Sequence, residues 1–368
     1  MKKHPLRVAI IGLGAVTRNI HLPAYKMLAE KIEIVGGCDT DGTARKWLRE
    51  KFGTEVFDEP QKMIEAAAPD IVAVCTPPSF HVAQTLLALE NKAHVFCEKP
   101  LAENLASAAE IVRAAERANR FVVVNNQFPY MNIHRAAKQM IGTPEFGRLL
   151  FLQAWQIFHP SHNTEAGWRG ELKLRLCFEF GIHVFELARY FFGDEPIRIS
   201  AQMPQLQPAE NSDTLNLIPL EFADGRAASI ILNRLSNAPE RYLDMRLDGE
   251  FASVQTSIGG QVRFEAGIHT REKRPFLGLN FIKGGSAILQ NGNKSKIIAK
   301  DGINPFASST AYHFGNFINA IEKGETPPAA AQDNLKTLAL VFAAYDSAES
   351  HCAIEMLDYI NQKLLAAD

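Results

Sequence analysis

The chain has 368 residues, 46% of them hydrophobic and 22% charged, with a formal net charge of -2. That length exceeds one ordinary core and suits two domains, while the near-neutral balance offers no electrostatic footprint for nucleic acid or an anionic membrane. Its five cysteines contain no C-x-x-C pair and are odd in number, which argues against a zinc site or a disulfide framework and suits a reducing cytoplasm.

In chain order, Met1-Lys2-Lys3 before Val8–Ile11 superficially resembles a signal peptide, but a glycine turn cuts the apolar run short. No run approaches the ~20 apolar residues of a membrane span. We read Leu6–Ile11 as a buried strand, followed by strands over Ile32–Cys38, Ile71–Cys75, Val95–Cys97 and Phe121–Val124. Their apolarity is continuous rather than alternating, as in a parallel sheet covered by helices on both faces. Helical patterns lie between them at Thr43–Phe52, Ser79–Glu90 and Asn104–Asn119, and Asp58 with Gln61 reads as a capping box for another. This alternation predicts an α/β Rossmann domain over 1–126.

After Asn126 the pattern changes. Helices are expected near Ile133–Ile141, Phe178–Phe192, Ala311–Lys323 and Asn334–Ser350. Strands are expected at Arg148–Phe158, Ile197–Met203, Thr214–Phe222, Ala227–Leu235 and Tyr242–Leu247, with Asp224-Gly225 and Asp248-Gly249 as turns. That predicts an α+β domain over 127–368 with a large, mainly antiparallel open sheet. In Ala227–Leu235, Ala228, Ile230 and Leu232 share one face, and Ile231 interrupts an otherwise polar opposite face. An open sheet face carrying such apolar side chains predicts a homodimer or homotetramer.

The first βα turn reads Gly12-Leu13-Gly14-Ala15-Val16-Thr17. Gly12 permits the tight turn, and Gly14 lets the backbone of Ala15 and Val16 approach a pyrophosphate at the helix N-terminus. The third position is Thr17 where glycine or alanine is usual, which predicts a shifted helix. Asp39 ends the second strand, where a carboxylate takes the ribose hydroxyls of NAD and repels the 2′-phosphate of NADP. Arg45 and Lys46 temper that preference, and the alternative is that Asp39 caps the next helix.

Thr76-Pro77-Pro78 with His81, Glu98-Lys99-Pro100 and Glu179-Phe180-Gly181-Ile182-His183 complete an ordered set. Together with the glycine turn they resemble the Gfo/Idh/MocA family, named for glucose–fructose oxidoreductase and inositol 2-dehydrogenase. The resemblance runs to Phe314–Ala320, Pro327-Pro328 and Tyr345-Asp346-Ser347-Ala348. It implies an NAD(P)-dependent oxidoreductase acting on a hydroxyl or keto carbon of a sugar, cyclitol or related compound. It places Lys99 and His183 at the reacting hydroxyl, with Glu179 orienting His183. The cofactor would lie on Gly12, Gly14, Ala15, Val16, Asp39, Thr76, Pro77, Pro78, His81, Glu98, Lys99 and Gln127.

The chain departs from the family on the substrate side. Leu174-Arg175-Leu176-Cys177-Phe178 replaces a Gly-Gly pair, Glu179 stands for Asp, and Gln127-Phe128 stands for Arg-Phe. Trp168 and Arg169 are candidate substrate contacts. Arg169, Lys173 and Arg175 form a basic stretch that suits an anionic sugar derivative or is simply a solvated loop. A non-catalytic NAD-binding sensor and an NAD-assisted glycosidase are the competing functions.

Overall fold

A computed structural model describes residues 4–157, 167–206, 212–236, 241–259, 262–268, 275–281 and 285–365. The first sheet joins β1 (Leu6–Ile11), β2 (Ile32–Cys38), β3 (Val56–Phe57), β4 (Ile71–Val74), β5 (His94–Cys97) and β6 (Val122–Val124). Its order is β3-β2-β1-β4-β5-β6, and every pairing is parallel. Val8–Ile11, Ile71–Val74 and Val122–Val124 are buried throughout, which is why their sequence shows no alternation.

The helices between these strands are α1 (Leu22–Lys26), α2 (Gly42–Phe52), α3 (Pro60–Ala67), α4 (Pro78–Glu90) and α5 (Leu105–Ala118). Asp41 caps α2 by accepting from Thr43 N at 2.8 Å, and Asn104 caps α5 from Ser107 N. The capping box expected of Asp58 and Gln61 is absent. Pro60 takes the first helical position, Glu59 stands at the cap, and no side chain caps the helix.

The second sheet joins β7 (Leu149–Ile157), β8 (Arg198–Ile199), β9 (Leu215–Glu221), β10 (Ala227–Asn233), β11 (Arg241–Gly249), β12 (Ser253–Ile258), β15 (Ser286–Asn291), β16 (Lys294–Lys300) and β17 (Ile354–Glu355). β13 (Val262–Ile268) and β14 (Pro275–Phe281) form a separate hairpin. The order is β16-β15-β12-β11-β7-β10-β9-β8-β17, antiparallel except for the central β7–β10 pair. Of the strand expected over Ile197–Met203, only Arg198–Ile199 pairs fully, with one further bridge from Gln202 to Leu217. Phe158, the expected end of β7, lies outside the described residues.

One face of this sheet packs on α6 (Asn132–Met140) and α8 (Ile182–Phe192), so Leu152, Ile230 and Leu232 share a core with Phe185 and Phe191. On the other face Ile231 pairs across to Trp155 on one side and Leu217 on the other, and all three are half-buried. A short helix, α7 (Trp168–Glu171), precedes α8.

The last helices are α9 (Pro305–Lys323), α10 (Ala331–Ser350) and α11 (Met356–Leu365). α9 returns to the first sheet, where Phe314, Phe317 and Ile318 pack with Val8, Ile10 and Tyr25. α10 lies between α5 and α8 and so joins the two sheets.

Candidate functional site

At the first βα turn Gly12 has φ +90°, and a Cβ there would stand 2.7 Å from the Cys75 carbonyl oxygen. Gly14 is exposed, and a Cβ there would meet nothing within 4 Å. One glycine therefore serves the turn and the other leaves space above it. Thr17 is buried and its hydroxyl donates to Gly12 O at 2.6 Å. From there the chain runs as a π-turn, Thr17–His21, into α1. The expected helix shift thus takes the form of one widened turn.

The Asp39 carboxylate accepts from Leu13 N at 2.7 Å and Asp41 N at 2.9 Å. It steadies the glycine turn itself, while Asp41 is the helix cap. Arg45 is tied to the carbonyls of Asp39 (2.7 Å) and Thr40 (3.0 Å).

After β4, the Thr76 hydroxyl donates to Gln84 Oε1 at 2.6 Å, and Pro77-Pro78 open α4. His81 does not fit the expected cofactor contact. It is fully buried, with Nδ1 2.8 Å from Pro100 O and Nε2 2.8 Å from Thr76 O, and so braces the two turns from inside. Burial lowers its pKa.

Glu98 is likewise an internal brace rather than an open cofactor contact. Its Oε1 lies 2.7 Å from His21 Nε2 and accepts from Asn125 Nδ2 at 2.7 Å. Burial raises the carboxyl, but His21, Asn125 and Lys99 bring it below its ordinary value. Burial lowers His21 in turn, but Cys75, Tyr25 and Glu98 hold it well above its ordinary value. The result is a buried imidazolium–carboxylate pair.

The Lys99 amine donates to the backbone oxygen of Glu179 at 2.6 Å, which closes the first domain onto the second. Burial lowers its pKa; Glu179 and Glu98 oppose that, and Arg169 adds to it. His183, in the first turn of α8, is buried and lies flat on Phe128. Burial, reinforced by Lys99, holds its pKa well below the usual value, so the ring is neutral. Its Nδ1 is buried without a hydrogen-bond partner among the described residues.

Glu179 does not orient His183. Its Oε1 accepts from Arg169 Nε at 2.8 Å, and its Oε2 stands 3.9 Å from Arg175 Nε. A carboxylate facing two guanidinium ions gains more there than from a neutral imidazole. The expected basic loop is consequently an ion-pair cluster, with Arg169 also stacked on Trp168 at 4.3 Å.

Sequence reading missed His21, Tyr25 and Asn125 around Glu98, and also Asp213. Asp213 accepts from the backbone amides of Arg175, Leu176 and Cys177 and so starts the π-turn Leu176–Gly181 that carries Glu179. The amides it accepts from lie 36 to 38 residues away, and no local motif signals such a cap.

The residues present fit a dinucleotide. Gly14 leaves open space at a helix start, and beyond β6 the amide atoms of Asn126 and Gln127 Oε1 are buried without hydrogen-bond partners among the described residues. Such buried polar atoms call for a ligand or water. Among the described residues there is no cluster of three or more metal-ligating side chains, and no helix is long and apolar enough to cross a membrane.

Two family models match the chain: the oxidoreductase family with NAD-binding Rossmann fold, GFO_IDH_MocA, over residues 6–126, and the GFO/IDH/MocA C-terminal domain over 134–255. D-apiose dehydrogenase of Paraburkholderia graminis is 26% identical over 355 residues, covering 95% of this chain and 89% of that protein. Myo-inositol 2-dehydrogenase of Thermotoga maritima is 24% identical, covering 96% and 100%. D-glucoside 3-dehydrogenase of Escherichia coli is 31% identical over 204 residues, 52% of this chain and 56% of that protein. Among solved structures, an Agrobacterium radiobacter oxidoreductase in complex with NAD+, L-tartaric acid and magnesium superposes with a TM-score of 0.82 at 20% identity, covering 96% and 99%.

Proposed function

This chain belongs to the Gfo/Idh/MocA oxidoreductase family, and we propose that Lys99 and His183 perform its acid–base chemistry at a hydroxyl of a sugar, cyclitol or related polyol. It is an NAD-dependent oxidoreductase with a Rossmann domain and a second, mostly antiparallel domain. We take 1–126 as the cofactor domain and 127–368 as the substrate and assembly domain. The observation that carries the reading is the contact between Lys99 of the Glu-Lys-Pro turn and Glu179, four residues before His183.

The bound nicotinamide supplies the hydride-accepting carbon. Gly12, Gly14, Ala15 and Val16 would hold the pyrophosphate, Asp39 the ribose, and Gln127 the nicotinamide end. A neutral His183 is in the state a base needs to take the hydroxyl proton. The Lys99 amine favours the developing alkoxide, exchanging its bond to the Glu179 carbonyl for one to the substrate oxygen. Arg169 and Trp168 line the substrate side, and their relatives' names point to sugar-like substrates. Five cysteines without disulfide partners suit a cytoplasmic setting.

The test is NAD+ reduction, followed by absorbance, over a panel of sugars, sugar acids and cyclitols, with NADP+ in parallel. Reduction with NAD+ preferred supports the reading. Binding without reduction would favour a sensor, and sugar hydrolysis without net NADH a glycosidase.

A further inference from the structure

Beneath Lys99 lies a chain of groups with no part in the chemistry proposed above. Tyr25 Oη stands 3.0 Å from His21 Nδ1, His21 Nε2 2.7 Å from Glu98 Oε1, and Asn125 Nδ2 2.7 Å from the same oxygen. Asn125 also bonds the Thr310 hydroxyl at 3.3 Å. His21, Asn125 and Thr310 are fully buried, and Tyr25 nearly so. The groups come from the π-turn after the glycines, α1, the end of β5, the end of β6 and α9. All converge on the carboxylate one residue before Lys99, and Lys99 N itself points to Glu98 Oε2 at 3.3 Å.

A buried ion pair is costly to form, and its cost is often not recovered in stability. This pair stands where the glycine turn and the Lys99 turn meet. We propose that His21 is a positioning residue for Lys99: it anchors Glu98 and cancels its charge, so that the lysine amine faces a neutral pair instead of an anion.

Among the described residues, three charged groups act on Lys99. Glu98 and Glu179 stabilise its cation, while Arg169 opposes it, and His183 feels the Lys99 charge in return. Around His21 stand Tyr25, Cys75 and Glu98. Cancelling Glu98 removes one of the two carboxylates that hold the Lys99 proton. Tyr25 suits the role because a hydroxyl accepts from a protonated Nδ1 and donates to a neutral one. The pair can therefore form without any rearrangement.

The inference rests on Lys99 as the amine beside the reacting carbon, but its test needs no substrate. The Lys99 titration is followed in the full-length protein by competitive acylation with a trace amine reagent across pH, with peptide mass spectrometry as readout. His21→Asn keeps a donor toward Glu98 and removes the charge, and it should move the Lys99 midpoint up by about one pH unit. Glu98→Gln removes the anion that keeps His21 charged and so should leave the Lys99 midpoint near its unmutated value. In the Glu98→Gln background the effect of His21→Asn should vanish, which a merely structural histidine would not produce. Tyr25→Phe removes the hydroxyl that accepts from the imidazolium, weakens the pair and should give a smaller upward shift. Circular dichroism and thermal midpoints identify any variant that fails to fold, in which case Tyr25→Phe carries the test. A Lys99 midpoint that ignores both His21→Asn and Tyr25→Phe overturns the proposal. Loss of turnover in an unchanged titration would concern the dehydrogenase reading alone.

Discussion

The imidazole of His183 lies face to face with the ring of Phe128, centroids 3.9 Å apart and planes 5° from parallel. Phe128 follows directly on Gln127 at the end of the cofactor domain's last crossover, and its own carbonyl accepts from His134 Nδ1 at 2.7 Å. The plane of the imidazole is therefore set by stacking, because Glu179 is engaged elsewhere. Phe128→Leu should lower kcat about tenfold with little change in NAD affinity, since misplacing a base costs more than the ~0.5–1.5 kcal/mol of the pair itself. Phe128→Tyr should restore most of it. Unchanged kcat in Phe128→Leu would mean the stack does not position the base.

The pH profile should report the same ring. Burial first and Lys99 second hold the His183 pKa well below 6.5. The neutral base therefore persists as pH falls through 6.5, and the acid limb of kcat/KM should lie clearly below that value. Lys99→Ala removes the nearby cation, so in its residual activity the acid limb should move toward higher pH. Initial rates between pH 4 and 9 decide this; an acid limb at 6.5 in the unmutated enzyme would contradict the geometry.

Stability should respond to acid through other histidines. His134 and His313 are fully buried, and burial lowers them to about 4 and about 3. Between those values and the unfolded 6.5, the unfolded chain binds more protons than the native one, so stability rises with pH and is lost as pH falls. Each histidine contributes at most about 1.4 kcal/mol per pH unit across that window. Urea unfolding at pH 7 and pH 5 should show the loss, and His313→Gln should reduce it if the variant folds. Equal midpoints at both pH values would rule this out.

The sequence revealed the first domain because burial on both faces leaves continuous apolar runs, as in Val8–Ile11 and Ile71–Val74. It missed β3, since Val56–Phe57 is too short to show any period. It gave Lys99 through a local tripeptide. It could not give the His21–Glu98 pair, 77 residues apart in sequence, because only the parallel sheet brings the two turns together. At the site, the contacts differ most from the sequence expectation at Glu179. The i, i+4 spacing to His183 suggested a partner, but Arg169 lies ten residues back and Arg175 four, and both face the carboxylate.

The outer face of the second sheet is where we expect assembly. Trp155, Ile231 and Leu217 lie side by side across β7, β10 and β9 and are half-buried in the single chain. A partly exposed apolar strip at the centre of a wide sheet is a natural self-complementary surface for a two-fold dimer. We predict a dimer or tetramer by light scattering at micromolar concentration, with Ile231→Asp shifting it to monomer while far-UV circular dichroism stays unchanged. A monomeric unmutated protein would refute the interface.

The last prediction separates Glu179 from His183. If Glu179 oriented the imidazole, removing either would disable the same unit, and the double variant would lose little more than one single variant. The observed contacts divide them: Glu179 holds Arg169 and Arg175, whereas His183 is held by Phe128. Lys99→Ala and His183→Asn should each lower kcat by about a hundredfold or more, the range lost with one acid–base or electrostatic group. Lys99→Ala should leave NAD affinity nearly unchanged, because the glycine turn and Asp39 lie apart from it. Glu179→Gln keeps the size of the side chain and leaves two guanidinium ions without their shared anion. Its effect should fall mainly on KM, through displacement of Arg169 and Trp168 on the substrate side. Combined with His183→Asn, the losses should add in free energy to within about 0.5 kcal/mol. The measurement is kcat and KM for the four corners of the cycle on the best substrate of the panel. A double variant no worse than His183→Asn alone would restore Glu179 as the orienting carboxylate.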